Sequence, residues 1–476
     1  MEALVPVLEV VEKAVQRSGR SNQRKGHAIK QISVGSGVLR EVRPTLERIC
    51  QERNLEETAI IAVLVDRVPY KVDERDVKQE LFEALAAAAW QLRLIVLDDG
   101  TPHLHATKAI IQQAVDQARG ASLLVSVGGG TLTDIGKMTS LALDGIPHVV
   151  VQTAASVDGF TDDVSVILID GVKRTVPSRW PDVVLADVDV VREAPEHLNQ
   201  AGFGELMSMF VAPADWRAAE LFGMDDSFDP SMVRMLEYVG TGIDEWSSGL
   251  RDGLTDSTTA LTRALAVRGV ATGLAGTTAL LSGAEHLISH MLDMYNASLG
   301  LPTGAHGAQV GVGSLVAACM WERFFDLARE DQWPTISKLD EAVYRNRVEA
   351  AFGHMSSDGQ IVADCWKDQS AKIDRWNSNI DRIRHVFSHE SDWLHELRQM
   401  VMTPQQMAIN LRNAGAPTSF ADLGVSPDLS EWVVRNCGYM RNRLTVVDLL
   451  DFTNSWTDQD AHEIVRNAES WATAYV

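Results

Sequence analysis

Ser122–Ala142 reads SLLVSVGGGTLTDIGKMTSLA, a short apolar run that ends in three glycines and continues with helical spacing. The apolar part suits a strand covered on both faces. Gly128, Gly129 and Gly130 remove the side chains that would keep the backbone from an anion. The following helix N-terminus, around Thr131–Asp134, brings free N–H groups and the positive end of a dipole. In a βαβ setting this is a pyrophosphate cradle. The competing reading is a plain turn in which glycine serves only positive φ. The spacing matches neither GxGxxG nor the P-loop. Asp134 either caps the helix or touches the cofactor.

Outward from this stretch, TAIIAVLVD (58–66), LRLIVLDD (92–99), PHVVVQT (147–153) and DVVLADVDVV (182–191) are further continuous apolar runs. Helical patterns such as DVKQELFEALAAAAWQL and ATKAIIQQAVDQARG separate the early ones, which predicts βαβ units and a parallel sheet. Beyond about residue 195, segments such as SLVAACMWERFFDLA, TPQQMAINLRNAG and SEWVVRNCGYMRNRLTVVDLLDF carry apolar residues at helical spacing, and strand patterns disappear. The polar stretches 224–230 and 385–392 read as loops. The expected fold is α/β plus all-α. Residues 1–30 form an amphipathic extension helix with a basic tail, 31–192 a Rossmann-like dinucleotide-binding domain, and 193–476 a helical metal- and substrate-binding domain.

Of the 476 residues, 45% are hydrophobic and 23% charged, an ordinary balance for a soluble globular protein. No apolar run approaches the ~20 residues that span a bilayer. The four cysteines are far apart and form no CxxC, so a disulfide framework and a cysteine zinc site are both disfavoured and a cytoplasmic location is expected. A net charge of −22 argues against sequence-independent nucleic-acid binding. It still permits an anionic substrate, because a few local cations and a helix N-terminus can hold a phosphate.

Two groups of residues suggest chemistry. In VVVQTAASVDGFTDDVSVI, Thr153, Ser156 and Asp158 follow a buried strand, at the edge where open α/β sheets bind ligands. Asp158 either accepts hydrogen bonds from a polyhydroxylated substrate or closes an Asx-turn. In SGAEHLISHMLDM, His286 and His290 are i, i+4 on one helix face, with Glu285 and Ser289 beside them to orient a ring nitrogen. His306 lies between Gly304 and Gly307, and Glu205 is a lone acid on an apolar helix face that needs a partner. Two histidines and a carboxylate, with a position left open, are the usual make-up of a catalytic zinc or iron(II) site. An HxxxH pair alone is weak evidence, since most such pairs on helices are packing or surface histidines.

The stretches SVGGGTLTDIGK, QTAASVDGF, AGFGELMS, EHLISHMLD and HGAQVGVG occur in this order. With them the chain resembles the glycerol-1-phosphate dehydrogenases, within the superfamily of iron-containing alcohol dehydrogenases, glycerol dehydrogenase and 3-dehydroquinate synthase. The similarity spans roughly residues 32–452. It implies a dehydroquinate synthase-like fold and NAD- or NADP-dependent reduction of dihydroxyacetone phosphate at a divalent metal, Zn²⁺ first, with Fe²⁺ or Ni²⁺ as alternatives. Carried over by position, Gly128, Gly129, Gly130 and Thr131 bind the pyrophosphate, and Asp134, Thr153 and Ser156 also contact the cofactor. Asp66 meets the adenosine ribose, where an acid mildly favours NAD over NADP, whose extra phosphate it repels. Asp158 contacts substrate, Glu205, His286 and His306 hold the metal, and His290 is the substrate-side histidine.

Three positions depart from the family pattern. The metal-binding aspartate is Glu205, a lysine four residues later is Met209, and a serine four residues after the substrate aspartate is Asp162. Asp162 and Asp163 thus stand as added acids at the nicotinamide edge, a charge balance unfavourable to a small dianionic phosphate. The leading expectation is a metal-dependent NAD(P) oxidoreductase acting on a small phosphorylated or polyhydroxylated molecule, without nucleic-acid or membrane partners and compatible with a homodimer. Glu205 also fits a sugar-phosphate cyclase that uses NAD transiently. A repurposed non-catalytic homologue is the third reading.

Overall fold

The computed structural model describes residues 7–17, 27–56, 58–88, 90–101, 103–169, 172–329, 336–355, 358–388 and 390–474. The strands longer than two residues are β1 (Gln31–Gly35), β2 (Ile60–Val65), β3 (Gln91–Val96), β4 (Leu123–Gly128), β5 (His148–Gln152), β6 (Val164–Ile169), β7 (Val172–Pro177) and β8 (Val183–Asp187). Six of them form one parallel sheet in the order β1-β8-β5-β4-β2-β3, while β6 and β7 make a separate antiparallel hairpin. In the middle of the sheet Val125 registers with Val63 on one side and Val149 on the other.

Alternation of side chains decides what covers each face. Val63, Val125 and Val149 pack with residues of helices α2 (Val42–Glu52) and α3 (Val77–Ala86). Ala62, Leu64 and Leu124 face the other way, onto α4 (Lys108–Ala118) and α5 (Gly130–Ala142). Coverage fails only at the margin. On the edge strand β3, Leu94 and Val96 are 49% and 43% exposed, unlike the fully covered strand its apolar run predicts.

The chain divides into two compact units, one of Met1–Gly202 with Arg234–Gly276, the other of Phe203–Val233 with Thr277–Val476. A single cut at 192/193 therefore does not describe it. The physical reason is helix α7 (Thr255–Ala275), which packs on the loop that follows β5. Thr161 Oγ1 donates to the Ala266 carbonyl at 2.7 Å. A Cβ on Gly269 would lie 2.4 Å from the Asp158 carbonyl oxygen, and one on Gly273 2.2 Å from the Trp180 ring. Helix α1 (Val7–Arg17), the described part of the expected extension, packs on α7 as well; residues 1–6 and 18–26 lie outside the described residues.

Among its described residues the second unit contains helices and loops but no strand. It contains the last turn of α6 (Glu196–Met207) and the pair α8 (Ala284–Ser298) and α9 (His306–Arg329). The buried Asp215 carboxylate accepts from the Ala284 and Val446 amides, each at 2.8 Å. It thereby ties the start of α8 to the start of α10 (Val446–Phe452), where Thr445 and Asp448 form a capping box. That box interrupts the SEWVVRNCGYMRNRLTVVDLLDF stretch, which folds as helix Pro427–Asn436, a 3₁₀ turn and α10 rather than continuously.

Other local patterns were weaker. DVDVV leaves the sheet after Asp187 and forms the short helix Val188–Val191, because Asp187 caps it through the Asp189 amide. Residues 225–229 are a loop, whereas 385–387 and 390–392 are helical. Alanine normally exceeds glycine inside a helix by about 1 kcal/mol. At Gly269 the loop backbone occupies the space, so Gly269→Ala is expected to reverse that sign and cost about 1–3 kcal/mol in urea unfolding.

Candidate active site

In the first unit, Gly128 registers with Gln152, so the glycine loop and the TAAS segment leave the sheet at one edge. None of the three glycines has positive φ, which removes the plain-turn explanation. Gly128 and Gly130 are packed: a Cβ would lie 2.3 Å from Leu132 Cδ1 at the first and 2.8 Å from Val157 Cγ2 at the second. A Cβ on Gly129 would meet nothing within 4 Å. The loop thus leaves open space over Gly129, at the N-cap of α5, and Thr131 in the first turn is exposed. A helix N-terminus with that open backbone suits a pyrophosphate.

The neighbouring loop is held from several sides. The Thr153 amide donates to the Gly128 carbonyl at 3.1 Å. The Ala155 amide donates to Asn199 Oδ1 at 2.9 Å, and Gly202 lacks a Cβ where the Ala155 carbonyl comes against α6. Ser156 is half-buried beside them.

The acids expected at cofactor and substrate are each paired with a cation of their own unit. Asp66 accepts from the Tyr70 hydroxyl at 2.7 Å and from Lys78 Nζ at 2.9 Å. The Lys78 cation balances its charge, which weakens the repulsion of an NADP phosphate expected of an acid here. Asp134 does not cap α5; its carboxylate pairs with Lys137 at 3.0 Å and accepts from the Val166 amide. Asp162 pairs with the same wholly buried Lys137 at 2.7 Å, and burial is the main cause that raises its pKa to about 7. Asp158 accepts from Arg268 Nε at 3.2 Å. The balance of Asp134, Asp158 and Asp162 against Lys137 and Arg268 weakens the case against a phosphate. Lys137 closes the quoted stretch SVGGGTLTDIGK, whereas Lys78 and Arg268 carry no motif of their own. The one sequence signal was a charged residue inside an apolar helical stretch.

The second unit brings Glu205, His286 and His306 together, with one donor atom from each within 4.8 Å of the others. The approach depends on glycines: a Cβ on Gly204 would lie 2.2 Å from the Gly307 carbonyl oxygen, and one on Gly311 2.8 Å from Gly204 Cα. The helix bearing Glu205 therefore meets the helix that begins at His306 backbone to backbone. His286 Nε2 lies 3.4 Å from Glu205 Oε1, and His306 Nε2 lies 3.6 Å from Oε2.

Both rings are oriented through Nδ1. Glu285, wholly buried, is 2.8 Å from His286 Nδ1. Ser289 Oγ is 3.0 Å from His306 Nδ1 and donates its own proton to Gln309 Oε1 at 2.9 Å. A serine that donates there accepts from Nδ1–H, which turns the Nε2 lone pair toward the carboxylate. His290 stands outside the triad, half-buried, its ring centroid 5.5 Å from that of His306. Met209 is buried. Two imidazole nitrogens and one carboxylate with unused positions suit a divalent cation such as zinc or iron(II).

The chain's fold resembles those of two solved dehydrogenases: glycerol dehydrogenase of Schizosaccharomyces pombe (TM-score 0.57, 14% identity, 95% of this chain and 94% of that one) and a probable glycerol dehydrogenase of Sinorhizobium meliloti (TM-score 0.55, 18% identity, 95% and 99%). The profile of the iron-containing alcohol dehydrogenase family matches residues 32–195. Glycerol-1-phosphate dehydrogenase [NAD(P)+] of Geobacillus stearothermophilus is 26% identical over 449 residues, covering 93% of this chain and 98% of that protein. The enzyme of the same name from Haloquadratum walsbyi is 34% identical over 259 residues, covering 52% and 73%. The chain belongs to the glycerol-1-phosphate dehydrogenase family of iron-containing alcohol dehydrogenases. It is an oxidoreductase of that class. No helix among the described residues is long and apolar enough to cross a membrane.

The carboxylates around His286 have a consequence for the metal-free protein. Burial alone would lower its pKa, but hydrogen bonds to Glu205 and Glu285 outweigh burial and raise it to about 9. A folded-state value above the unfolded ~6.5 gives a stabilisation fully present below pH 6.5 and lost as pH rises through about 9. Thermal melts of chelator-treated protein across that window are expected to fall with pH, and Glu285→Gln is expected to flatten the fall.

Proposed function

We propose that the chain interconverts dihydroxyacetone phosphate and glycerol 1-phosphate with NAD(H) or NADP(H), using a divalent cation held by Glu205, His286 and His306. The observation that carries this reading is the convergence of those three side chains, with each imidazole's second nitrogen already engaged by Glu285 or Ser289. A cation at such a site supplies Lewis-acid polarisation of a carbonyl, and a reduced nicotinamide supplies the hydride.

The remaining work falls to the chain. The α5 N-terminus and the open backbone at Gly129 take the pyrophosphate, with Thr131, Thr153 and Ser156 beside it. The ribose meets the Asp66 and Lys78 pair. Asp158 accepts hydrogen bonds from substrate hydroxyls and fixes their orientation. His290, near both ligand histidines but outside the ligand set, holds and delivers the proton. Zinc is the first choice of metal, and the same donors accept iron(II) or nickel(II).

The test follows NADH and NADPH at 340 nm with zinc-loaded enzyme, dihydroxyacetone phosphate as substrate, and a parallel assay for released phosphate. Nucleotide consumption without phosphate release is expected. Phosphate release without net consumption would favour cyclase chemistry. Glu205→Ala and His286→Ala are expected to lose metal by elemental analysis, whereas His290→Ala retains it and loses about 100-fold or more in kcat. Normal metal content in Glu205→Ala would refute the ligand assignment. Gly129→Ala is expected to melt like the parent yet bind NADH at least ~10-fold more weakly by nicotinamide fluorescence, whereas Gly128→Ala is expected to destabilise the fold.

A further inference from the structure

Helix α7 carries one charged side chain through an otherwise small and apolar stretch, ALAVRGVATGLA (264–275). That residue, Arg268, has a side chain with 0% exposure, whereas Asp158 keeps 21% of its side chain exposed. Removing a guanidinium from water is costly unless an acid accompanies it. Here Arg268 Nε meets Asp158 Oδ2 at 3.2 Å. The adjacent Gly269 makes the approach possible, because a Cβ there would lie 2.3 Å from Thr161 Oγ1 and 2.4 Å from the Asp158 carbonyl oxygen. The loop therefore lies against α7 at the arginine. The pairing joins residues 110 positions apart, and both belong to the first unit.

We propose that Arg268 determines specificity for a phosphorylated substrate. It cancels the charge of Asp158 and fixes the carboxylate that reads the substrate hydroxyls. The inference rests on Asp158 contacting substrate, as assigned under the proposed function. A bare carboxylate at that position would repel a phosphate dianion, whereas an ion pair reads hydroxyls without excluding it. Arg268 acts through Asp158, so its signature is selectivity between substrates rather than loss of turnover.

The experiment compares kcat/KM for dihydroxyacetone phosphate and for dihydroxyacetone, using zinc-loaded enzyme and NADH. Arg268→Gln is expected to lower the ratio of the two about 10- to 100-fold, and Arg268→Lys, which keeps the charge, to hold it within about 3-fold. In the double variant Arg268→Gln/Asp158→Asn both charges are gone, and the ratio is expected to recover most of the loss. Asp158→Asn alone leaves the cation unbalanced and is expected to raise the ratio, which keeps the proposal testable should Arg268→Gln fail to fold. An Arg268→Gln enzyme that loses both activities equally would overturn the proposal and leave the arginine a loop anchor. So would a double variant with a ratio as low as the single one, or an unchanged ratio in Asp158→Asn. A parent enzyme that turns over neither compound would overturn the substrate assignment and this role with it. A parental phosphate preference that no variant moves would overturn only the role of Arg268.

Discussion

The backbone contact between Gly204 and the Gly307–Gly311 turn is the constraint on which the candidate metal site depends. Helices packed through ordinary side chains stand about 8–10 Å apart. A single carboxylate would then have difficulty reaching two imidazoles on other elements. Removing the side chains at the crossing brings Glu205 to Nε2 of both His286 and His306. The same device recurs one turn further along α9, where a Cβ on Gly313 would lie 2.7 Å from the Glu285 carbonyl oxygen. Behind the site, Asp215 fixes the first turn of α8, so the residue pair Glu285–His286 starts from an anchored backbone.

Electrostatics in the first unit follow one rule. Asp66, Asp158 and Asp162, all near residues associated with cofactor or substrate, are each paired with a lysine or arginine. The buried Lys137 also takes in Asp134, and although burial alone would lower its pKa, Asp162 and Asp134 together raise it. A formal charge of −22 therefore says little about the potential at these positions. What a dianionic ligand meets is the local pairing, and the second unit differs in gathering Glu205 and Glu285 around one histidine.

Much of this was legible in the sequence where the signal is local. Buried strands such as Leu123–Gly128 announce themselves as continuous apolar runs, and the glycine triplet marks the turn that follows. The candidate cluster was legible because helical spacing places Glu285, His286, Ser289 and His290 on adjoining faces, while Glu205 is an acid without local company. The partners of the acids were not legible, since Asp158 and Arg268 lie on distant segments and Arg268 carries no motif. The boundary between units failed for a related reason. Helical periodicity shows that 255–275 is a helix but not which core covers it, and only the glycine contacts of Gly269 and Gly273 tie it to the sheet unit. Strand β1 and the β6–β7 hairpin escaped because short or mixed patterns at a sheet margin resemble loops.

The discontinuity of the first unit also sets an order of events during synthesis. Domains tend to fold as units from the N-terminus as the chain emerges. Here the sheet and its phosphate loop are complete by Gly202, but helix α7 is not translated until Ala275. Until then the loop carrying Asp158 has neither its guanidinium nor the glycine surface it rests on. A nascent chain of about 200 residues thus holds the whole parallel sheet with the loop after β5 still unsupported. The first core can close once Gly276 has emerged, before most of the other unit is made. The segment 203–233, translated earlier but belonging to that other unit, gains its partners only from residues beyond 276.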